Sequence, residues 1–178
     1  CDLIQVLSKT CSILGIFAYL NYNTPVSRKR IAEILINGLR RLEYRGYDSA
    51  GIAIDECCPD CQGDTNGEDV PPSSNVLLIR RPGKVEELSK AVTSILSQKN
   101  DDPTFMTHTG LAHTRWATHG QPSEVNAHPQ SSDKTHAFTV VHNGIITNFK
   151  DMRSLLERKG VVFETDTDTE VIPKLMLH

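Results

Sequence analysis

The stretch His113-Thr114-Arg115-Trp116-Ala117-Thr118-His119-Gly120 gathers two imidazoles, two hydroxyls, a guanidinium and an indole. It follows a strand-like run, residues 110–114, so these groups cluster where a strand ends. Arg115 can grip a carboxylate through two parallel hydrogen bonds. Trp116 can wall a small pocket, and Thr118 and His119 can offer backbone groups to a polar ligand. A surface turn with one Arg–acid bridge would need only the arginine. The density of functional types favours a ligand-binding turn.

Two further sites have two readings each. In His142-Asn143-Gly144 a side-chain amide stands beside a glycine N–H. Two neutral donors aimed at one point make an oxyanion hole. Asn-Gly is also the preferred pair of a type I′ hairpin turn. Asp168, in Asp166-Thr167-Asp168-Thr169-Glu170, falls at a helix start. There it can bind an ammonium group or cap the helix. Tyr44-Arg45-Gly46-Tyr47-Asp48-Ser49-Ala50-Gly51 is a tight turn before a strand, braced by Arg45 and Asp48. Cys58-Pro59-Asp60-Cys61 is a single C-x-x-C, without the second ligand pair of a zinc site or the strand-to-helix setting of a redox motif. With Cys57 it reads as loop, and neither metal nor cofactor is expected.

The elements that must position these groups are legible as periodicities. Residues 16–20 are a strand-type run, and Ser27 is the N-cap of a helix reaching about residue 44. Ile31, Ile34, Leu35, Leu39 and Leu42 share one face of that helix. Arg28, Lys29, Arg30, Arg40 and Arg41 mostly take the other, which reads as solvated. Strands are expected at residues 50–54, 76–81, 110–114, 138–142 and 161–164. Long loops are expected at 56–75 and 100–109, and helices at 84–96, 148–159 and 168–177. The last helix leaves Ile172, Leu175 and Met176 without partners, which predicts a C-terminally truncated fragment. Strands in groups with helices between them favour an α+β fold.

The 178-residue chain is long enough for one domain with a real core. Hydrophobic residues make up 38% and charged residues 23%, as in soluble globular proteins. The net charge of −3 gives no nucleic-acid surface. No apolar run is long enough for a membrane span. Residues 3–14 lack the basic start and cleavage site of a secretory signal. The five cysteines are odd in number and locally grouped, which predicts no disulfide framework and a cytoplasmic setting.

Together these segments resemble the glutaminase (class II glutamine amidotransferase) domains of glutamine:fructose-6-phosphate aminotransferases (isomerizing). The resemblance is carried by the run from Leu39-Arg40-Arg41-Leu42-Glu43 to Gly51, by residues 113–120, by Asn126-Ala127-His128-Pro129, by residues 142–148 and by Thr167-Asp168-Thr169-Glu170. It implies a four-layer αββα sandwich of the N-terminal-nucleophile hydrolase type. It implies that Arg115 and Asp168 hold the carboxylate and amino group of L-glutamine. Trp116, Thr118 and His119 would line the pocket, and Asn143 and Gly144 would form the oxyanion hole. In full-length relatives, expected to be homo-oligomeric, ammonia passes to a second half that acts on fructose 6-phosphate and makes glucosamine 6-phosphate. That half is absent here, so residues 15–178 read as a partial amidotransferase domain.

One departure concerns the nucleophile. The family places an N-terminal Cys directly before the Gly-Ile-Phe run, and here Leu14 precedes Gly15-Ile16-Phe17. The free α-amine of that Cys relays the proton, with an unperturbed pKa of about 7.7–8.0. Cys11, being internal, has no free amine. Cys1 joins a thiol to an amine if it is the terminus, but thirteen residues, Asp2 to Leu14, separate it from Gly15. Residues 1–14 therefore read as an atypical extension or insertion, with Cys1 as the candidate nucleophile. The alternative is a non-catalytic glutamine-binding fragment. A third reading is a truncated product that never folds.

Overall fold

A computed structural model of the protein describes residues 15–45, 48–56, 76–99, 101–116 and 120–178. Cys1, Cys11, Leu14, the cysteines at 57, 58 and 61, Thr118 and His119 lie outside the described residues, as does the side chain of Arg45.

Four strands form the principal sheet: β1 (Gly15–Asn21), β3 (Ser49–Asp55), β4 (Val76–Pro82) and β6 (His108–Arg115), in the order β1-β6-β3-β4 with every pair antiparallel. The central strand β3 is the apolar run Ser-Ala-Gly-Ile-Ala-Ile-Asp, buried on both faces as its near-continuous hydrophobicity demands. Alternate residues then go to opposite faces. Ala50, Ile52 and Ile54 join the core beneath the helices, and Ala53 joins Leu111 and Val141 on the opposite face.

Helices α1 (Arg28–Leu42) and α2 (Val85–Gln98) cover the first face. Ile31, Leu35 and Leu39 of α1 meet Leu88, Val92 and Leu96 of α2 over the sheet. Ser27 caps α1 as its residue type predicts, its hydroxyl accepting from the Arg30 N–H at 3.4 Å. Leu42 is followed by a 3-10 turn, Glu43–Arg45. Helix α3 (Phe149–Arg158) falls inside the expected 148–159. Helix α4 (Val171–Leu177) carries Pro173 in its first turn, where a missing N–H breaks no helical bond.

Four expectations need correction. Residues 100–109 are not all loop: β5 (Thr104–Phe105) pairs with β2 (Val26–Ser27), and β6 begins at His108. Residues 161–164 form no strand: the Glu164 N–H at the end of that run and the Thr165 N–H just after it are both taken by the Glu170 carboxylate, at 2.9 and 2.8 Å. The expected strand 138–142 shrinks to β8 (Thr139–Val140), paired with β7 (Gln130–Ser131). Arg28 is not on a solvated face. It is 1% exposed, and its guanidinium donates to the carbonyls of Glu56 at 2.6 Å and Asp101 at 2.7 Å.

Candidate functional site

The site grows from one edge of the principal sheet. The register pairs Thr114 with both Gly15 and Ala50, and Arg115 with Ser49. The starts of β1 and β3 and the end of β6 therefore share that edge. The β1 start tolerates no side chain: a Cβ on Gly15 would lie 2.6 Å from Leu42 Cβ and 2.8 Å from Thr114 Oγ1.

Arg115 leaves the end of β6 almost wholly buried, 5% exposed, and donates to the Gly120 carbonyl at 3.3 Å. Burial pulls its pKa down, while the carboxylates of Asp168 and Asp48 oppose that pull. Arg115 and Asp168 are thus electrostatic neighbours of opposite sign. Trp116 is half-exposed beside Arg115.

Two residues before Arg115, His113 points to the other end of the site. Its Nε2 lies 2.7 Å from the Asn143 side-chain oxygen. Its ring stacks on His128 with centroids 4.5 Å apart and 29° between planes. The Nδ1 of His128 accepts from the His142 N–H at 3.4 Å. His142 Nδ1 lies 3.2 Å from Thr169 Oγ1, which donates to Asp168 Oδ1 at 3.4 Å. Asp168 Oδ2 accepts from the Ile146 N–H at 2.7 Å. A near-continuous polar chain therefore runs from Asn143 to Asp168, and both ends hold the segment 143–146.

Burial depresses the pKa of all three histidines. His113 falls to about 4, chiefly by desolvation, which outweighs its hydrogen bond to Asn143. His128 is pushed well below the usual imidazole range by desolvation and by the charge of neighbouring groups. Burial thus favours the neutral form of all three rings.

Two of the alternatives, the type I′ turn at Asn143 and the helix cap at Asp168, do not match the structure. Positive φ among described non-glycine residues is confined to Asn23 and His136, so Asn143 does not occupy a type I′ turn, which needs positive φ at both central positions. Asp168 does not cap α4 through its side chain. The residue preceding that helix is Glu170, and the Asp168 oxygens go to Ile146 and Thr169.

Sequence reasoning missed the parts that hold these groups. Asn126 bridges two segments: its Nδ2 donates to the Gln121 carbonyl at 3.0 Å, and its Oδ1 accepts from the Asp166 N–H at 3.0 Å. His128 precedes a cis peptide to Pro129, and its carbonyl lies where a Cβ on Gly51 would come within 2.1 Å. The signal for both was the string Asn-Ala-His-Pro, whose residue types cannot say what they touch. Thr118 and His119 lie outside the described residues, so of the expected site residues the structure describes Arg115, Trp116, Asn143, Gly144 and Asp168.

Comparison with known proteins gives the family. The chain is 52% identical to glutamine–fructose-6-phosphate aminotransferase [isomerizing] 1 of Rattus norvegicus over 165 residues, covering 92% of this chain and 23% of that protein. It is 53% identical to glutamine–fructose-6-phosphate aminotransferase [isomerizing] 2 of Homo sapiens over 166 residues, 92% of this chain and 22% of that one. The Saccharomyces cerevisiae glutamine–fructose-6-phosphate aminotransferase [isomerizing] is 51% identical over 164 residues. The chain thus spans under a quarter of the length of these curated relatives. Residues 78–178, more than half of the chain, match the glutamine amidotransferase domain family, and the chain belongs to that family.

Proposed function

We propose that this chain is the glutamine-hydrolysing part of a glutamine–fructose-6-phosphate aminotransferase (isomerizing). The observation that supports it most is the pairing of unlike ends in one site. Buried Arg115 and Asp168 supply opposite charges for the two ends of an α-amino acid, and Asn143-Gly144 sits on the segment that Asp168 holds. The same proposal assigns Trp116, Thr118 and His119 to glutamine binding.

The chemistry is acyl transfer. A thiolate adds to the side-chain amide carbon of glutamine, forming a C–S bond, and the carbonyl oxygen becomes an oxyanion. The donors of Asn143 and Gly144 stabilise that charge. Collapse breaks the C–N bond, ammonia leaves with the proton relayed by the α-amine, and water hydrolyses the thioester to glutamate. Cys1 is the proposed nucleophile and amine. Released ammonia serves fructose 6-phosphate in a second half, giving glucosamine 6-phosphate for UDP-N-acetylglucosamine synthesis. A homo-oligomeric full-length enzyme in the cytoplasm is proposed with it; among the described residues no helix is long and apolar enough to cross a membrane.

A four-layer αββα sandwich is part of the same proposal, with residues 15–178 as a partial domain. The sheet face opposite α1 and α2 supports it. Leu20 is 67% exposed there, and Ile16, Val76 and Leu78 are only partly buried, which leaves room for a second sheet.

A second reading, a glutamine-binding fragment without turnover, is favoured by Leu14, a side chain with no nucleophile before Gly15. Ammonia release from glutamine separates the two. The chain is compared with a variant in which one Cys directly precedes Gly15. The expected result is rapid release by the variant and far slower release by the unaltered chain. If the variant neither binds nor hydrolyses glutamine, the glutaminase proposal fails.

A further inference from the structure

We propose that His113 is a positioning residue: by donating its Nε2–H to the Asn143 side-chain oxygen, it commits the Asn143 amide to face glutamine as a hydrogen-bond donor. The proposal rests on the glutaminase reading of the site.

An asparagine amide presents a donor at one end and an acceptor at the other. In an oxyanion hole only the donor end helps, because the acceptor end would repel the developing charge. Something must therefore fix which end faces the substrate. Asn143 lies on irregular backbone just past the short strand β8. Its oxygen lies 2.7 Å from His113 Nε2.

The location of one imidazole proton then decides the outcome. His113 is 1% exposed, and both Arg115 and burial oppose a second ring proton. A single proton on Nε2 binds the Asn143 oxygen and turns the NH2 group away, toward the ligand. A single proton on Nδ1 would leave an Nε2 lone pair. That lone pair would take an N–H from Asn143 and turn the carbonyl oxygen toward the developing oxyanion. The same residue would then oppose the reaction.

The ring is held so that this choice is not averaged away. His113 stacks on His128, whose Nδ1 is engaged by the His142 N–H and whose carbonyl packs against Gly51 of β3. His113 itself stands on β6, paired on both sides, opposite Ile16 of β1 and Gly51 of β3. A rigid strand and a stacked ring restrict the imidazole more than a loop would.

Two measurements on the full chain test the proposal. The first is the ring nitrogen spectrum of histidine-labelled chain by long-range proton–nitrogen NMR at pH 7. The expected result for His113 is a protonated Nε2 and an unprotonated Nδ1. The Nδ1–H tautomer, or an imidazolium, overturns the proposal whatever the chain's activity. The second compares His113→Gln, whose amide N–H can stand in for Nε2–H, with His113→Asn, whose shorter side chain cannot. Glutamine turnover in His113→Asn is expected to fall about 10²-fold in kcat with KM within about threefold, as for loss of an oxyanion donor. His113→Gln is expected to recover at least about tenfold of that loss. Equal losses in the two variants, or a change in KM alone, overturn the positioning role. These turnover comparisons are made in the variant with one Cys directly before Gly15; if that variant shows no turnover, the fault lies with the glutaminase reading, and the tautomer decides this proposal by itself.

Discussion

The Asp168 carboxylate accepts the Ile146 backbone N–H at 2.7 Å, so one side chain joins the approach to α4 to the segment that carries Asn143 and Gly144. The same carboxylate is the negative neighbour of Arg115. It holds the site's backbone and supplies one of its charges, and substitution can separate these roles. In Asp168→Asn an amide oxygen still accepts from Ile146, while the charge is lost. A hydrogen bond to a charged group is worth about 1.5–3 kcal/mol. Glutamine binding by calorimetry is expected to weaken about tenfold to a hundredfold, with the melting temperature shifted by only a few degrees. Unchanged affinity would remove Asp168 from ammonium recognition.

Arg115 offers the matching test at the other end of the amino acid. Lysine keeps the charge but loses the two-pronged geometry that fits a carboxylate. Arg115→Lys is expected to weaken glutamine binding by about tenfold or more. Loss of binding only with Arg115→Ala, and none with lysine, would show that charge alone suffices.

Gly51 and the His128 carbonyl set a purely steric prediction. A Cβ would come 2.1 Å from a backbone oxygen, and backbone cannot step aside as a flexible side chain can. Gly51→Ala is expected to destabilise the fold by about 1–3 kcal/mol or more, read by urea denaturation. Gly160→Ala is the comparison. It meets nothing within 4 Å but has φ +87°, so the strain alone should cost about 1–2 kcal/mol. A smaller loss at Gly51 than at Gly160 would contradict the close approach.

The buried histidines predict a stability that falls in mild acid. Their folded pKa values lie below the model-peptide value of 6.5, with His113 at about 4. Above pH 6.5 neither folded nor unfolded chain protonates them. Between pH 6.5 and 4 the unfolded chain binds protons that the folded one refuses, so stability rises with pH there and is lost as pH falls. The slope should be on the order of 1 kcal/mol per pH unit for each fully shifted histidine. Denaturation curves at pH 7.5, 6 and 5 measure it. Equal stability at all three would mean that the cluster is solvated or protonated in the native state.

The sequence by itself determined the elements whose signals are local. Apolar spacing at 31, 35 and 39 and a serine at 27 specify α1 and its start, because helix periodicity and capping involve near neighbours. The motif strings likewise specified the family. What only the tertiary structure decided are partnerships between distant residues. Arg28 is buried although helix periodicity puts it among solvated charges, since carbonyls 28 and 73 residues away reach it. Residues 161–164 are rich in β-branched and aromatic types as a strand is, yet they form none, and the Glu164 N–H at the end of that run goes to the Glu170 carboxylate. Asn143 was legible as a donor, but its fixing by His113 joins residues 30 apart through a fold no local pattern encodes. A polar side chain's type states which bonds it can make, and only packing decides which group arrives to make them.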